Sequence, residues 1–288
     1  MVSRRLIAEC GTWYSVLRSV YTLVFIVFLP IMVRAQFEIP VMGGRGTALG
    51  GSSVALTDAA SSLCNVAGLA NRSGLDVAVS YKPNYLLGPM SDKWVAVAGS
   101  VTATGSAMAS YHHFGNAQYS EQRLSIGYAQ AVGARLSIGA TIDYLYSGVS
   151  DAYYGSMQGL TFSAAIQFSM SRQWIFGAQV FNPAAVRMGS VDDSRLPSRM
   201  NIGVSYQPFP EWMTTIEVEK ALYSPACIRA GVEYLFFDYF MARMGIASNP
   251  LSYGFGIGVL YSHYSFDLAA SVHQTLGLTP MVGGTISF

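Results

Sequence analysis

From Leu75 to Phe288 the chain repeats one pattern: segments of roughly ten residues in which apolar and small or polar side chains alternate, the length a tilted membrane-spanning strand needs. The segments are Leu75–Lys82, Lys93–Thr102, Ser106–Phe114, Glu121–Ala131, Ala134–Ser147, Gly159–Met170 and Gln173–Phe181, then Ser198–Gln207, Glu211–Ala221, Ala226–Phe236, Tyr239–Ser248, Tyr253–Tyr261, Tyr264–His273 and Met281–Phe288. Fourteen is an even number, as a closed antiparallel barrel with both ends on one side requires. The connections alternate too. Ala103-Thr104-Gly105, Val132-Gly133, Ser171-Arg172 and Pro208-Phe209-Pro210 are tight, whereas Lys82–Lys93, Gly148–Gln158 and Asn182–Pro197 are long. Outer-membrane barrels combine short periplasmic turns with longer outside loops, and a soluble sandwich has no reason to.

Within a segment the period is two. Leu136, Ile138, Ala140, Ile142, Tyr144 and Tyr146 share one face; Arg135, Ser137, Gly139, Thr141 and Asp143 share the other. Ile228, Ala230, Val232 and Tyr234 likewise oppose Arg229, Gly231 and Glu233. The polar faces are rich in Gly, Ala and Ser, which suit a crowded concave interior. Tyr and Trp gather near segment ends, where an interfacial girdle places them. These features predict an all-β fold, a transmembrane antiparallel β-barrel of about 14 strands, over a sandwich or a lipocalin-like barrel.

Composition agrees. Charged residues make up 11% of the 288, under half of the roughly 25% usual for soluble domains, while 51% are hydrophobic. Yet no apolar run after residue 35 approaches the ~20 residues of a membrane helix. A net charge of +1 gives nucleic acid no electrostatic footprint. Arg4, Arg5 and Arg18 precede an apolar core, Leu23–Val33, and Val33-Arg34-Ala35 follows. That is the pattern of an export signal cut after Ala35, with a core too short to span. It predicts residues 1–35 as signal peptide and 36–74 as a plug, with the barrel over 75–288 and a Gram-negative outer membrane as destination. Cys64 and Cys227 are too few for a disulfide framework and read as small packed residues.

The plug expectation rests on Gly43–Ala70, with Gly43, Gly44, Gly46, Gly50, Gly51 and Gly68 among small residues. Each interior Gly costs a helix about 1 kcal/mol against Ala, and strand alternation is missing. Such a segment stays folded only inside an enclosure. Its spacing loosely resembles a phosphate loop, but no Gly-Lys-Ser/Thr follows.

This entry (Gly44-Arg45-Gly46-Thr47-Ala48-Leu49-Gly50-Gly51, on to Asp58), the Asn65-Val66-Ala67-Gly68-Leu69 turn and the ending His273–Pro280 resemble the PorV/PorQ and FadL-like outer-membrane proteins of Bacteroidota. Val66 stands where that family usually has proline. The resemblance implies a fourteen-stranded barrel with an N-terminal hatch. It also implies one of two roles: passage of small hydrophobic molecules, or accessory service in type IX secretion with a secretion-system or surface-protein partner. Gly43, Gly44, Arg45, Gly46, Gly50, Gly51, Asp58, Asn65 and Gly68 are the candidate plug residues. The terminal Phe288 on an amphipathic last strand looks like the signal read by barrel-assembly machinery.

Parity places Arg123, Arg135, Asp143, Glu217, Glu219, Arg229, Glu233, Arg243 and Asp267 on the inward face. Both signs occur in similar number, so a paired network that avoids isolated buried charge outranks a selective pore. No catalytic set stands out. Asp267 and His273 share a face about 20 Å apart along a strand, and Ser110 and His112 lack an evident third group. No metal-ligand spacing is present and no cofactor is expected. Outer-membrane lipid and either a hydrophobic ligand or a protein partner are the expected contacts.

Overall fold

A computed structural model describes residues 43–151, 155–188, 196–222 and 224–288, with main chain only at 61 and 63. The expected leader, 1–35, and the first plug residues, 36–42, lie outside it.

Fourteen strands form, one in each alternating segment: β1 (Leu75–Pro83), β2 (Ser91–Thr102), β3 (Gly105–Gly115), β4 (Tyr119–Val132), β5 (Leu136–Val149), β6 (Ser156–Ser169), β7 (Trp174–Phe181), β8 (Arg199–Phe209), β9 (Trp212–Ala221), β10 (Cys227–Phe236), β11 (Phe240–Ser248), β12 (Leu251–Tyr261), β13 (Tyr264–His273) and β14 (Gly277–Ser287). Each pairs antiparallel with its sequence neighbours, and β1 pairs with β14 to close the ring. Closure removes the exposed edges an open sheet would leave in lipid. At the seam the Leu75 and Phe288 main chains exchange hydrogen bonds of 3.3 and 2.8 Å. Gly74 enters β1 there with φ +85°, and a Cβ on it would sit 2.4 Å from the Phe288 carbonyl oxygen. Only glycine passes that point.

The faces are inside out relative to a soluble protein. On β5, Ile142 is 60% exposed while its neighbours Thr141 and Asp143 are 2% and 0% exposed. Ile126, Leu160, Ile202, Phe255 and Phe266 repeat the outward pattern on other strands. A wall whose apolar side faces outward all round is stable only in lipid, so the barrel is transmembrane. At the short-turn end, rings collect as a girdle. Trp174 stacks on Tyr206 at 4.2 Å, and Trp212, Tyr234, Phe236 and Phe240 continue the belt.

Two expectations shift. β14 starts at Gly277, four residues before the expected Met281, and so contains Pro280. The proline is tolerated because β1 pairing stops at Tyr81↔Val282, leaving Pro280 bonded on the β13 side alone. The long–short alternation also fades late in the chain: the connection from β11 to β12 is only Asn249-Pro250.

The N-terminal segment packs against the inward side of the wall. Its helix α1 (Gly44–Ala48) lies on β11–β14, a 3-10 turn (Ala59–Leu63) on β1 and β2, and a second (Val66–Leu69) on β3–β6. Leu49, Val54, Val66 and Leu69 are fully buried there. The wall makes room with glycine. A Cβ on Gly245 would meet Leu49 carbonyl carbon at 2.1 Å, one on Gly177 the Val54 oxygen at 2.1 Å, and one on Gly139 the Val66 Cγ1 at 2.6 Å.

Candidate functional site

The lumen is the candidate site, and its chemistry begins with Arg45. Helix α1 runs so close to β13 that a Cβ on Gly44 would stand 2.4 Å from Asp267 Cβ. That approach lets the Arg45 guanidinium reach the wall. Its Nε and Nη2 donate to Glu233 at 2.9 and 2.7 Å, and its Nη1 to Asp58 at 3.0 Å. Glu233 faces Arg243 in the β10–β11 register and takes its Nε at 2.5 Å; Arg243 in turn donates to Asp267. The result is a ladder of alternating sign, Asp58–Arg45–Glu233–Arg243–Asp267, three of whose rungs belong to the wall.

Glu217 on β9 makes the second attachment. It is 1% exposed, and its Oε2 accepts the main-chain N–H groups of Ser53 and Val54 at 2.7 and 2.9 Å. Its Oε1 takes Asn201 Nδ2 at 2.6 Å. Next to it Glu219 pairs with Arg199 at 2.9 Å and Arg229 at 3.1 Å, and Arg229 also donates to the Gly51 carbonyl. A carboxylate taking two consecutive backbone donors holds the main chain itself, whatever side chains stand there.

Farther round, the segment is held without ions from its own side chains. Asn65 caps the Val66–Leu69 turn by accepting from Ala67 N at 3.1 Å and donates to the Val54 and Ile166 carbonyls at 2.6 and 3.2 Å. This cap fixes the turn at Val66. A Cβ on Gly68 would meet the Leu56 oxygen at 2.6 Å, so this glycine lets the segment double back on itself.

The wall carries two more polar groups. Arg123 on β4 donates to Asp143 on β5 at 3.0 and 2.9 Å, and Asp143 also takes Ser125, Thr141 and Ser163 hydroxyls. Asp92 accepts from Asn84 at 2.7 Å, pairs with Lys82 at 3.3 Å and meets His112 Nε2 at 2.8 Å. His112 therefore does have an orienting carboxylate, and its Nε2 is engaged by Asp92 instead of by Ser110. Among the described residues no group of three or more His, Cys, Asp or Glu is placed to hold a metal ion.

Beside this polar wall sits an apolar patch. Leu145, Phe181, Met188 and Leu196 are buried together, with Met157 packed on them. Met188 and Leu196 belong to the long connection from β7 to β8. Asn182 (0% exposed) ties the described ends of that connection together and to β6: Thr161 Oγ1 donates to its Oδ1 at 2.8 Å, and its Nδ2 donates to Leu196 O at 2.9 Å.

The expected inward charges thus fall into three groups. Glu233, Arg243 and Asp267 join Arg45 and Asp58; Glu217, Glu219 and Arg229 form a second set; Arg123 and Asp143 form a third. Arg135 is a correction. It is exposed in the turn before β5 instead of lining the lumen, because β5 begins only at Leu136. Asp92, Lys82, Arg199 and Asn201 are among the polar lining residues that the sequence reading leaves out. Lys82 and Arg199 have inward parity and are legible by it; Asp92 falls just outside the expected segment. The two described cysteines, Cys64 and Cys227, are free.

No protein-family model and no curated protein sequence matches the chain. Solved structures do. The fold is that of the TodX hydrocarbon channel. The P. putida toluene transporter TodX matches with TM-score 0.68 at 12% identity, over 87% of this chain and 99% of that one. A TodX deltaS2S3 mutant monoaromatic hydrocarbon channel gives 0.68 at 13%, over 88% and 100%. A Pseudomonas aeruginosa FadL homologue gives 0.67 at 11%, over 88% and 100%. At these identities the likeness is one of backbone architecture, and the lumen residues are this chain's own.

Proposed function

We propose that the protein is an outer-membrane channel for small hydrophobic molecules, exported by a leader over 1–35, with residues 36–74 acting as a hatch inside the barrel of 75–288. The observation that carries this reading is the buried Leu145–Phe181–Met188–Leu196 patch within a polar lumen, at the end with the longer connections. A channel for ions or sugars has no use for it, whereas a hydrophobe leaving lipid or water needs an apolar stop on its way. The shared architecture with TodX and the FadL homologue supports the same reading. The chemistry of the contacts supports a hatch that moves: the segment is tied by ion pairs and by glycine-cleared contacts, with no covalent tie among the described residues.

The test is uptake of labelled toluene and of a long-chain fatty acid by a Gram-negative host lacking its own hydrophobe channels. Expression should raise uptake of at least one above the empty-vector rate. Equal rates for both would sink the proposal. Purification of the same protein addresses the partner-binding role that the PorV and PorQ side of the resemblance implies: a solitary barrel with bound hydrophobe supports transport, and a stable large partner supports the other.

A further inference from the structure

The apolar patch has one polar corner, and that corner is not satisfied. Arg123 is 5% exposed and sits opposite Leu145 in the β4–β5 register, with its guanidinium carbon 5.0 Å from the Phe181 ring centre. Its Nε and Nη2 donate to Asp143. Its Nη1 is buried and has no hydrogen-bond partner among the described residues. Asp143 has no spare capacity to help, since Oδ1 serves Arg123 and Ser125 while Oδ2 serves Thr141 and Ser163. An arginine brings five donors, and a buried one left idle lowers stability unless something supplies an acceptor. The neighbouring Phe181, Leu145 and Met188 offer none but weak sulfur.

We propose that Arg123 and the Leu145–Phe181–Met188–Leu196 patch form a binding site for an uncharged hydrophobic molecule carrying one hydrogen-bond-accepting oxygen, such as a ketone, ester or ether. The inference rests on the channel reading and names its substrate class. The charge count sets the choice. Arg123 is neutralised by Asp143 at 2.9 Å, so the site has a donor to give but no net positive charge to hold a carboxylate. A carboxylate placed at Nη1 would stand close to Asp143 and lose to repulsion part of what it gains. A plain hydrocarbon would fill the patch and leave Nη1 as it is. Met188 and Leu196 come from the connection and not from the wall, and a Cβ on Gly159 would meet Met188 Cγ at 2.9 Å.

Three probes of one length settle it: 2-decanone, decanoate and decane, each titrated against the detergent-solubilised full chain by competition with an environment-sensitive fluorophore. The expected order is 2-decanone first, with about a tenfold advantage over decane, as befits one hydrogen bond from a charged donor, and decanoate no better than decane. Arg123→Lys keeps the pair with Asp143 but removes the second donor arm, and should bring the ketone-to-decane ratio to about one. Should Lys disturb folding, read from heat-modifiable gel migration, the charge-free pair Arg123→Met with Asp143→Asn makes the same prediction. Equal binding of ketone and decane, a preference for decanoate, or an unchanged ratio in both variants overturns the inference while leaving the channel reading intact. If none of the three binds and neither toluene nor fatty acid enters cells, the channel reading itself falls and takes this one with it.

Discussion

The two halves of the N-terminal segment rest on the same kind of floor but are fastened differently. Residues 43–58 lie over Gly231, Gly245 and Gly254 and are also tied by Arg45 to Glu233 and by Glu217 to the Ser53 and Val54 amides. Residues 65–70 lie over Gly127 and Gly139 and use no ion at all. Fit is therefore common to both, and charge belongs to one. Close fit against backbone is lost all at once when a side chain intrudes. Ion pairs among partly exposed groups loosen in steps and respond to salt. The contrast makes charge removal the test of the first half and an added methyl the test of the second.

Removing the buried hook is expected to do the most damage. Glu217→Ala leaves two backbone donors and Asn201 without their acceptor inside the lumen, a loss of about 3 kcal/mol in local seating. Hydrogen exchange checks it: the Ser53 and Val54 amides should lose protection while the amides of β4 and β5 keep theirs. Unchanged protection at Ser53 and Val54 would show that the glycine floor alone holds the first half.

The second half breaks through shape. In Gly139→Ala the new methyl would stand 2.6 Å from Val66 Cγ1 and 3.0 Å from Ala67 N, and the backbone contact cannot give as a flexible side chain would. Overpacking of this kind costs about 2 kcal/mol. Cys64, between the halves, reports it. Burial pushes its thiol pKa up, so labelling by a maleimide should be slow in the parent and faster in the variant, with Cys227 replaced by alanine in both. No change in rate would mean that the contact over Gly139 absorbs the methyl without moving residues 65–70, and that close fit is not what holds the second half.

How much of this was readable beforehand differs between wall and contents. The wall was readable because period-two alternation has to persist for the whole width of the bilayer, so every strand carries its own signal, from Leu75 through Phe288. Boundaries slipped by up to four residues, and two places show why. Pro280 reads as a stop, yet it sits in a strand whose far side is unpaired at that position. Arg135 has inward parity, yet parity means nothing outside a strand. The contents were harder. That Arg45, Glu233, Arg243 and Asp267 would be inward or enclosed follows from local pattern; that they form one ladder depends on which strands the helix α1 happens to cross. The idle donor on Arg123 depends on Asp143 being filled by three hydroxyls from three strands, which no single segment displays.

Charge at the first half has a graded test. Arg45→Met removes the ion pair that the segment makes to Glu233 on the wall but leaves Glu233 with Arg243 and Glu217 with its two amides. The Arg45 side chain is 23% exposed, so solvent already screens part of its attraction, and the expected loss is about 1 kcal/mol. Cys64 labelling should rise less than in Gly139→Ala. The effect should also shrink in high salt, where the parent has already given up part of the same attraction.

Asp58→Asn is the mildest change and sharpens the comparison most. Asp58 touches Arg45 at 3.0 Å with a side chain 26% exposed, and both residues lie on the segment. Their bond shapes Arg45 but does not tie it to the barrel. If the wall contact through Glu233 is what fastens the first half, losing Asp58 should cost about 0.3 kcal/mol, and the Cys64 rate should stay near that of the parent. An effect as large as that of Arg45→Met would reverse the assignment: Arg45 would then matter because it braces residues 45–58 as a unit, with Glu233 a bystander. Measuring the double variant decides between these. Independent bonds add, whereas a single braced unit loses nothing further once Arg45 is gone.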